Sequence, residues 1–352
     1  MPLESLRPLQ FKEIIGFESD DLVLAWDVFR KSAFHINNQD QTLRQDSGAS
    51  DLFKHICARA IEIKSPQTSS EACDLWMRFF QPYQSLDPDP SPRGFVTAYY
   101  EPILKGSLFQ TADYSEPVLA FADPTCAHKA NSSLWPDRAH IDAGVLADQT
   151  KVLVWLKDAV EVFIVQAQGS ARIELSDGSQ RRLIYAGRNG YPYSSIGKIL
   201  IERGEIAASD MSSEAIKHWV RQNGQGPQDA GRKLLHENKS YVFFDFAQDL
   251  AQDEGPIGGQ RISLTPLRSI AIDRHHWFYG LPIWVEAHLP LRTAQEEHFA
   301  RLMIAQDTGS AIIGEERIDL FFGSGVAAGE RAGEIKHPAH LIYLLPKMER
   351  SS

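Results

Sequence analysis

Between residues 241 and 345 the chain carries six short apolar runs, at 241–246, 270–272, 282–287, 302–306, 318–322 and 339–345, separated by Gly- and Asp-bearing turns. Short β-rich runs joined by Gly turns point to a barrel rather than a doubly wound sheet. A further strand-like run, 95–100 (FVTAYY), follows a stretch at 84–94 that holds three prolines and must be loop.

Between these two β-rich regions lies a section with its own elements. Strand-like runs at 118–121, 151–156 and 162–168 precede 172–175 and 181–185, which flank Ser176-Asp177-Gly178; Asp-Gly between alternating runs is a strong hairpin signal. Three helices follow: one capped by Ser194 or Ser195 and stopped by Gly204, one over 215–222, and one opened by Pro227 and ending near Asn238. The first eighty residues read as amphipathic helices, after Asp20 and Asp21 and after Thr68, where Glu71 completes a capping-box spacing. The expected division is therefore 1–107 (N-terminal helices and first part of the barrel), 108–239 (an insert) and 240–352 (second part of the barrel).

With 36 Lys+Arg against 46 Asp+Glu, the net charge is −10. No basic run offers the counterion-releasing surface that nucleic acid requires. No stretch approaches a membrane span, because 152–167 is broken by Lys157, Asp158 and Glu161. The start of the chain shows no secretory leader. Cys57, Cys73 and Cys126 have no metal-ligand spacing; buried thiols are expected, with a Cys57–Cys73 bridge the alternative. Neither a metal nor a cofactor is expected.

Three aspartates close apolar runs in the last third: Asp273, Asp307 and Asp319. A carboxyl group at a buried strand end loses hydration and its pKa rises, which suits proton transfer near neutral pH; the same position also suits turn closure by accepting backbone N–H groups. Residues 307–310 (DTGS) look like an aspartic-protease loop, but that chemistry needs two such carboxyls and the motif occurs once. Gly197-Lys198 lacks the first glycine and the Ser/Thr of a phosphate loop, and 323–329 has the wrong glycine spacing for a dinucleotide. His275 and His276 would point to opposite faces of a strand. Aromatics at 99–100, 185, 191, 193, 277–279 and 321–322 sit beside Gly, Asn, Gln and Asp, a pattern that fits both a sugar-binding groove and a core edge.

Taken together, residues 97–102 (TAYYEP), 165–170 (VQAQGS), 185–190 (YAGRNG), 193–197 (YSSIG), 270–273 (IAID), 279–282 (YGLP), 306–312 (QDTGSAI), 317–319 (RID) and 329–333 (GERAG) resemble, in order, the membrane-bound lytic transglycosylase A family. The resemblance covers roughly 94–346. It implies a mainly β chain with helices: a double-psi β-barrel built from both ends of the chain, and a smaller inserted β-rich domain bordering a groove for peptidoglycan. The implied reaction breaks the β-1,4 bond between N-acetylmuramic acid and N-acetylglucosamine without water, leaving a 1,6-anhydro end.

On this likeness Asp319 is the acid/base, Asp307 orients it or binds substrate, and Asp273 closes a barrel turn. Substrate contacts fall to Thr97, Tyr99, Tyr100, Gln168, Gly169, Ser170, Ala186, Gly187, Asn189, Gly190, Ser195, Gly309 and Gly323. The likeness further implies a monomer whose partner is the glycan strand, at a periplasmic or outer-membrane location reached through a leader not visible here, the start being read as truncated or misassigned. Ala98 and Ala171 stand where many relatives carry Gly. The alternative is a non-catalytic, expansin-like module that grips wall glycan without cutting it.

Overall fold

The computed structural model describes residues 6–86, 94–121, 135–247, 254–293 and 295–347. Its strands are β1 (Leu6–Pro8), β2 (Phe80–Ser85), β3 (Gly94–Glu101), β4 (Ile103–Lys105), β5 (Glu116–Leu119), β6 (Val152–Leu156), β7 (Ser170–Glu174), β8 (Gln180–Arg188), β9 (Val242–Phe246), β10 (Ser269–Ile272), β11 (Pro282–Leu289), β12 (Glu297–Thr308), β13 (Arg317–Ser324) and β14 (Lys336–Pro346). The chain divides into two compact units, one of Met1–Tyr100, Ile257–Gly323 and Ala327–Ser352, the other of Glu101–Pro256 and Ser324–Val326.

In the first unit β14, β11, β12, β10, β13 and β3 pair in that order, and β3 pairs back onto β14. The result is a closed six-stranded barrel in which β10 runs parallel to β12 and antiparallel to β13. Alternation along each strand sorts the side chains. Ile283, Val285, Ile270, Ile272, Ile318 and Leu320 fill one buried cluster, while Trp284, Leu302, Ile304, Ile342 and Leu344 belong to another, made with three N-terminal helices.

Those helices are α1 (Leu22–Asn37), α2 (Asp51–Glu62) and α3 (Ser69–Phe79), capped by Asp21, Ser50 and Thr68. At the start of α3 the expected capping spacing is used with a shift: Thr68 accepts from Glu71 N at 3.2 Å, and the Glu71 carboxylate takes the N–H of Gln67 at 2.7 Å. α1 buries Leu22, Ala25, Trp26, Phe29 and Ala33 at helical spacing. The start of α1 is fastened to the barrel by a buried fork in which Arg268 Nη1 and Nη2 donate to the Asp20 carboxylate at 2.7 and 2.6 Å. Two parallel charge-assisted bonds offset the desolvation of both ions.

The second unit has a four-stranded sheet, β4-β7-β8-β9, a two-stranded sheet, β5-β6, and five α-helices among the described residues. The hairpin between β7 and β8 turns at Asp177-Gly178, where the Asp177 carboxylate accepts from Ser179 N at 2.9 Å. One buried carboxylate gathers four segments of this unit: Glu101, fully buried, receives Arg172 Nη2 at 2.9 Å, lies 2.8 Å from Arg182 Nε, and accepts from Ser324 Oγ at 2.7 Å. Arg182 Nη2 continues to Glu254 O at 2.6 Å.

Two expectations are corrected. The run 162–168 is not a strand but most of a helix, Ala159–Gln168: Asp158 caps it by accepting from Glu161 N, and its apolar residues are buried nearly all round, which erases the periodicity that separates helix from strand. The run 241–246 was assigned to the barrel, yet β9 pairs with β8 in the second unit, so the boundaries expected at 107 and 240 fall at 101 and 256. Cys57 and Cys73 are free thiols, as expected, the first buried and the second partly exposed; Cys126 lies outside the described residues.

Candidate active site

Asp307 and Asp319 come together because both sit opposite Ala271. That residue pairs with Asp307 across the parallel β10–β12 ladder and with Asp319 across the antiparallel β10–β13 ladder. Two strand spacings separate the backbones of the two aspartates, about 9–10 Å, with only a methyl group between them. Ile270 and Ile272, on either side of Ala271, fill the cluster shared with Ile318 and Leu320; Ala271 points away from it, into a small cluster with Tyr99, Leu264, Ile312 and Phe321.

A β-bulge puts Asp307 on this face. The β10–β12 register shifts between Ile270 and Ala271, so that Gln306 is an extra residue in β12. Strict alternation from Ala305, whose side chain lies in the barrel cluster, would have pointed Asp307 inward; the extra residue turns it out. Gln306 is itself anchored. Its amide donates to Val28 O and Ser32 Oγ of α1 at 3.0 and 2.8 Å and accepts from Ser269 Oγ at 2.6 Å.

Each carboxylate has a distinct set of partners. Asp319 accepts from the Thr97 hydroxyl, which in turn accepts from Arg317 Nη2 at 2.6 Å. Burial pushes the Asp319 pKa up to about 6; Thr97 and Arg317 pull it down and Asp307 pushes it up. Asp307 is held by three donors, Tyr99 OH at 2.7 Å, Gly259 N at 2.7 Å and its neighbour Thr308 N at 2.8 Å. Its pKa is also raised, by burial, against those donors and Arg44. Arg44 Nη1 donates to Thr308 O at 3.0 Å. Asp273 accepts from His275 N at 3.0 Å and Gly314 N at 2.7 Å, tying the loop after β12 to the end of β10.

The remaining candidates are distributed between the units. Tyr100 is buried, and its ring occupies the space beside Gly329; Gly309 follows β12 and Gly323 lies in β13, both in the first unit. Gln168 and Gly169 end the helix Ala159–Gln168 and Ser170 begins β7. Ala186 and Gly187 lie at a bulge in β8, where the Phe121 ring fills the place a Gly187 side chain would take. Asn189 is buried, its amide spent on Pro136 O, Lys239 O and Tyr241 N, which makes it a brace between segments. Gly190 follows β8, and Ser195 caps Ile196–Glu202 by accepting from Lys198 N at 3.2 Å. These eight belong to the second unit.

Sequence reasoning missed Gly259, Arg317, Arg44 and Tyr279. A Cβ on Gly259 would lie 2.5 Å from the Tyr279 hydroxyl and 3.3 Å from Asp307 Oδ1, so only glycine brings its N–H to that carboxylate. The Tyr279 hydroxyl is buried without a hydrogen-bond partner among the described residues. For Gly259 the only available signal was the Gly258-Gly259 pair, whereas Arg317 and Tyr279 lie inside the runs 317–319 and 279–282 without a role having been assigned to them there. Among the described residues no three His, Cys, Asp or Glu side chains converge to hold a metal ion, and no helix is long and apolar enough to cross a membrane.

Residues 95–245 match the family model of the MltA specific insert domain and residues 268–345 that of the 3D domain. Over 245 residues, 68% of this chain, the sequence is 34% identical to membrane-bound lytic murein transglycosylase A of Escherichia coli K12. The corresponding protein of Vibrio cholerae is 35% identical over 246 residues. Each match spans 62% of the relative's length. The crystal structure of a membrane-bound lytic murein transglycosylase from Agrobacterium tumefaciens is similar over 97% of this chain and 98% of its own, with a TM-score of 0.83 and 30% identity. Escherichia coli MltA with bound chitohexaose is similar over 92% and 90%, with a TM-score of 0.69 and 27% identity.

Proposed function

This chain belongs to the membrane-bound lytic murein transglycosylase A family, and from that premise we propose that it cleaves peptidoglycan glycan strands between N-acetylmuramic acid and N-acetylglucosamine, leaving 1,6-anhydro ends. The observation that carries the reading is the unequal pair of carboxyls on either side of Ala271. Asp307 accepts from three donors and so is held in place. Asp319, with one hydroxyl partner and a pKa near 6, is free to give and take a proton.

Asp319 first donates its proton to the glycosidic oxygen as that bond breaks. As a carboxylate it then takes the proton of the muramyl O6 hydroxyl while O6 bonds to the anomeric carbon, which returns the acid to its starting state. An ordinary glycosidase needs a second free carboxylate, as nucleophile or to activate water; here the nucleophile belongs to the substrate, and Asp307 positions. The bound chitohexaose in the Escherichia coli relative supports a glycan as ligand. We further assign the six-stranded barrel to the double-psi type, the second unit to an inserted substrate-binding domain, and the site of action to the periplasmic face of the envelope, as relatives named membrane-bound suggest.

The decisive experiment is mass analysis of muropeptides released from purified sacculi. Anhydro ends are expected; reducing ends would make the protein a hydrolase, and no release would make it a binder.

The proton state of Asp319 gives a second test. Because the acid must start protonated, kcat/KM falls as pH rises above about 6. Thr97→Val removes a bond to the charged form and leaves burial unchanged, so the descending limb moves to higher pH. A limb that stays in place in that variant, measured on soluble glycan strands, would show that the titrating group is not Asp319.

A further inference from the structure

The second unit contains a cavity of about 420 Å³, inside the size range of small-molecule sites. Its apolar wall includes Leu119, Ile141, Val152, Trp155, Val162 and Leu235, and it opens past Ala147 and Val152, both exposed. Four charged side chains reach it: Arg138, Arg232, Glu116 and Asp142.

Three of these satisfy one another. Arg232 Nη2 bonds Glu116 at 2.5 Å, Arg232 Nη1 lies 3.6 Å from Asp142, and Asp142 is also 3.0 Å from His236 Nε2. Arg138 is different. It is 3% exposed, with its guanidinium 4.8 and 5.1 Å from the Phe163 and Tyr241 ring centroids. Nε and Nη2 donate to Asn238 O and Ser240 O at 2.9 and 2.6 Å, and Nη1 has no hydrogen-bond partner among the described residues. Burial pulls its pKa below the ordinary guanidinium value, with Asp142 the charge that opposes the shift most and Arg232 reinforcing it. A buried cation bonded only to neutral carbonyls is costly unless an anion completes it.

The carboxylates of Glu116 and Asp142 nearby disfavour a dianion such as phosphate and favour a monoanion that also carries N–H donors. We propose that this cavity binds the C-terminal carboxylate of a short peptide of small apolar residues, the carboxylate on Arg138 Nη1, the side chains against the apolar wall, and the peptide N–H groups toward Glu116 or Asp142. A wall peptide and an ordinary peptide end share this chemistry. The proposal stands apart from glycan cleavage, because binding is read without any glycan.

The test is calorimetric titration of the whole protein, with Trp155 fluorescence as a second readout. The probes are acetyl-D-alanyl-D-alanine, its C-terminal amide and acetyl-L-alanyl-L-alanine. The D-acid should bind saturably and its amide at least tenfold more weakly, since a charge-assisted bond is lost. Equal binding of the L-acid supports a general peptide-end pocket, and preference for the D-acid a wall-peptide pocket. Ala159→Leu fills the cavity without touching the bonds of Arg138 and should abolish binding; should it fail to fold, Arg138→Lys, which keeps the charge and loses the fork, should weaken it. No saturable binding of either acid, or equal binding of acid and amide, would overturn the proposal.

Discussion

Asp319→Asn lowers release of anhydromuropeptides by about 10⁴-fold or more while leaving folding and binding to sacculi nearly unchanged. General acid/base groups contribute about 10²–10⁴-fold, and Asp319 is proposed to serve in both proton transfers, so the loss belongs at or beyond the upper end. The substitution is isosteric and keeps an oxygen that can accept from the Thr97 hydroxyl; an amide, however, can neither deliver nor recover the proton. Asp307→Asn should cost less, because its carboxylate is occupied by Tyr99, Gly259 and Thr308 and its effect passes through position rather than proton transfer. Both variants are to be compared for product release and for binding to sacculi. Retained turnover in Asp319→Asn, with loss in Asp307→Asn, would exchange the two roles.

The second large effect is on stability. Glu101→Ala should destabilise the protein by about 3–5 kcal/mol, the usual consequence of removing one member of a buried ionic cluster. Glu101 is fully buried, and the side chains of Arg172 and Arg182 are 13% and 8% exposed, so both guanidinium groups would be left charged in a poorly hydrated place. Ser324 would lose its acceptor as well. Denaturant titration followed by far-ultraviolet circular dichroism reads the loss as a lowered midpoint. Arg172→Met and Arg182→Met added to Glu101→Ala should recover part of it, since replacing a whole buried cluster with apolar groups is far less costly than breaking it. A midpoint unchanged in Glu101→Ala would mean that the cluster contributes nothing net.

The sequence exposes the parts of this molecule that depend on local pattern and hides those that depend on what packs against a segment. The strands of the last third, the Asp177-Gly178 hairpin and the carboxylates at strand ends could be read directly, because alternation and turn chemistry are written within a few residues. The helix Ala159–Gln168 could not be told from a strand, because the second unit buries it on nearly every side. Nor could the partner of β9 be read, since an apolar run carries no mark of which sheet it joins. The placement of Asp307 depends on the bulge at Gln306, which reverses the face that alternation assigns. Gly259 acts through its backbone N–H, a group every residue but proline has. Thr97 and Tyr99 were legible as residue types; that each reaches a different carboxylate follows from strand order alone.

The split of the barrel between the two ends of the chain governs how the protein can be made. Residues 101–256 leave the ribosome as one continuous stretch, so most of the second unit is complete while the barrel still lacks five of its six strands. Trp26, Phe29, Trp76 and Phe80 are synthesised early, yet the Trp284, Leu302 and Ile342 that help bury them follow roughly two hundred residues later, about 10–40 s at 5–20 residues per second. β14 joins β2, β3 and β11 at once, so the ring cannot close until the final strand has emerged. For most of its synthesis the nascent chain therefore carries an uncovered aromatic surface on these helices, and its greatest exposure to aggregation and to chaperones comes before the native state exists.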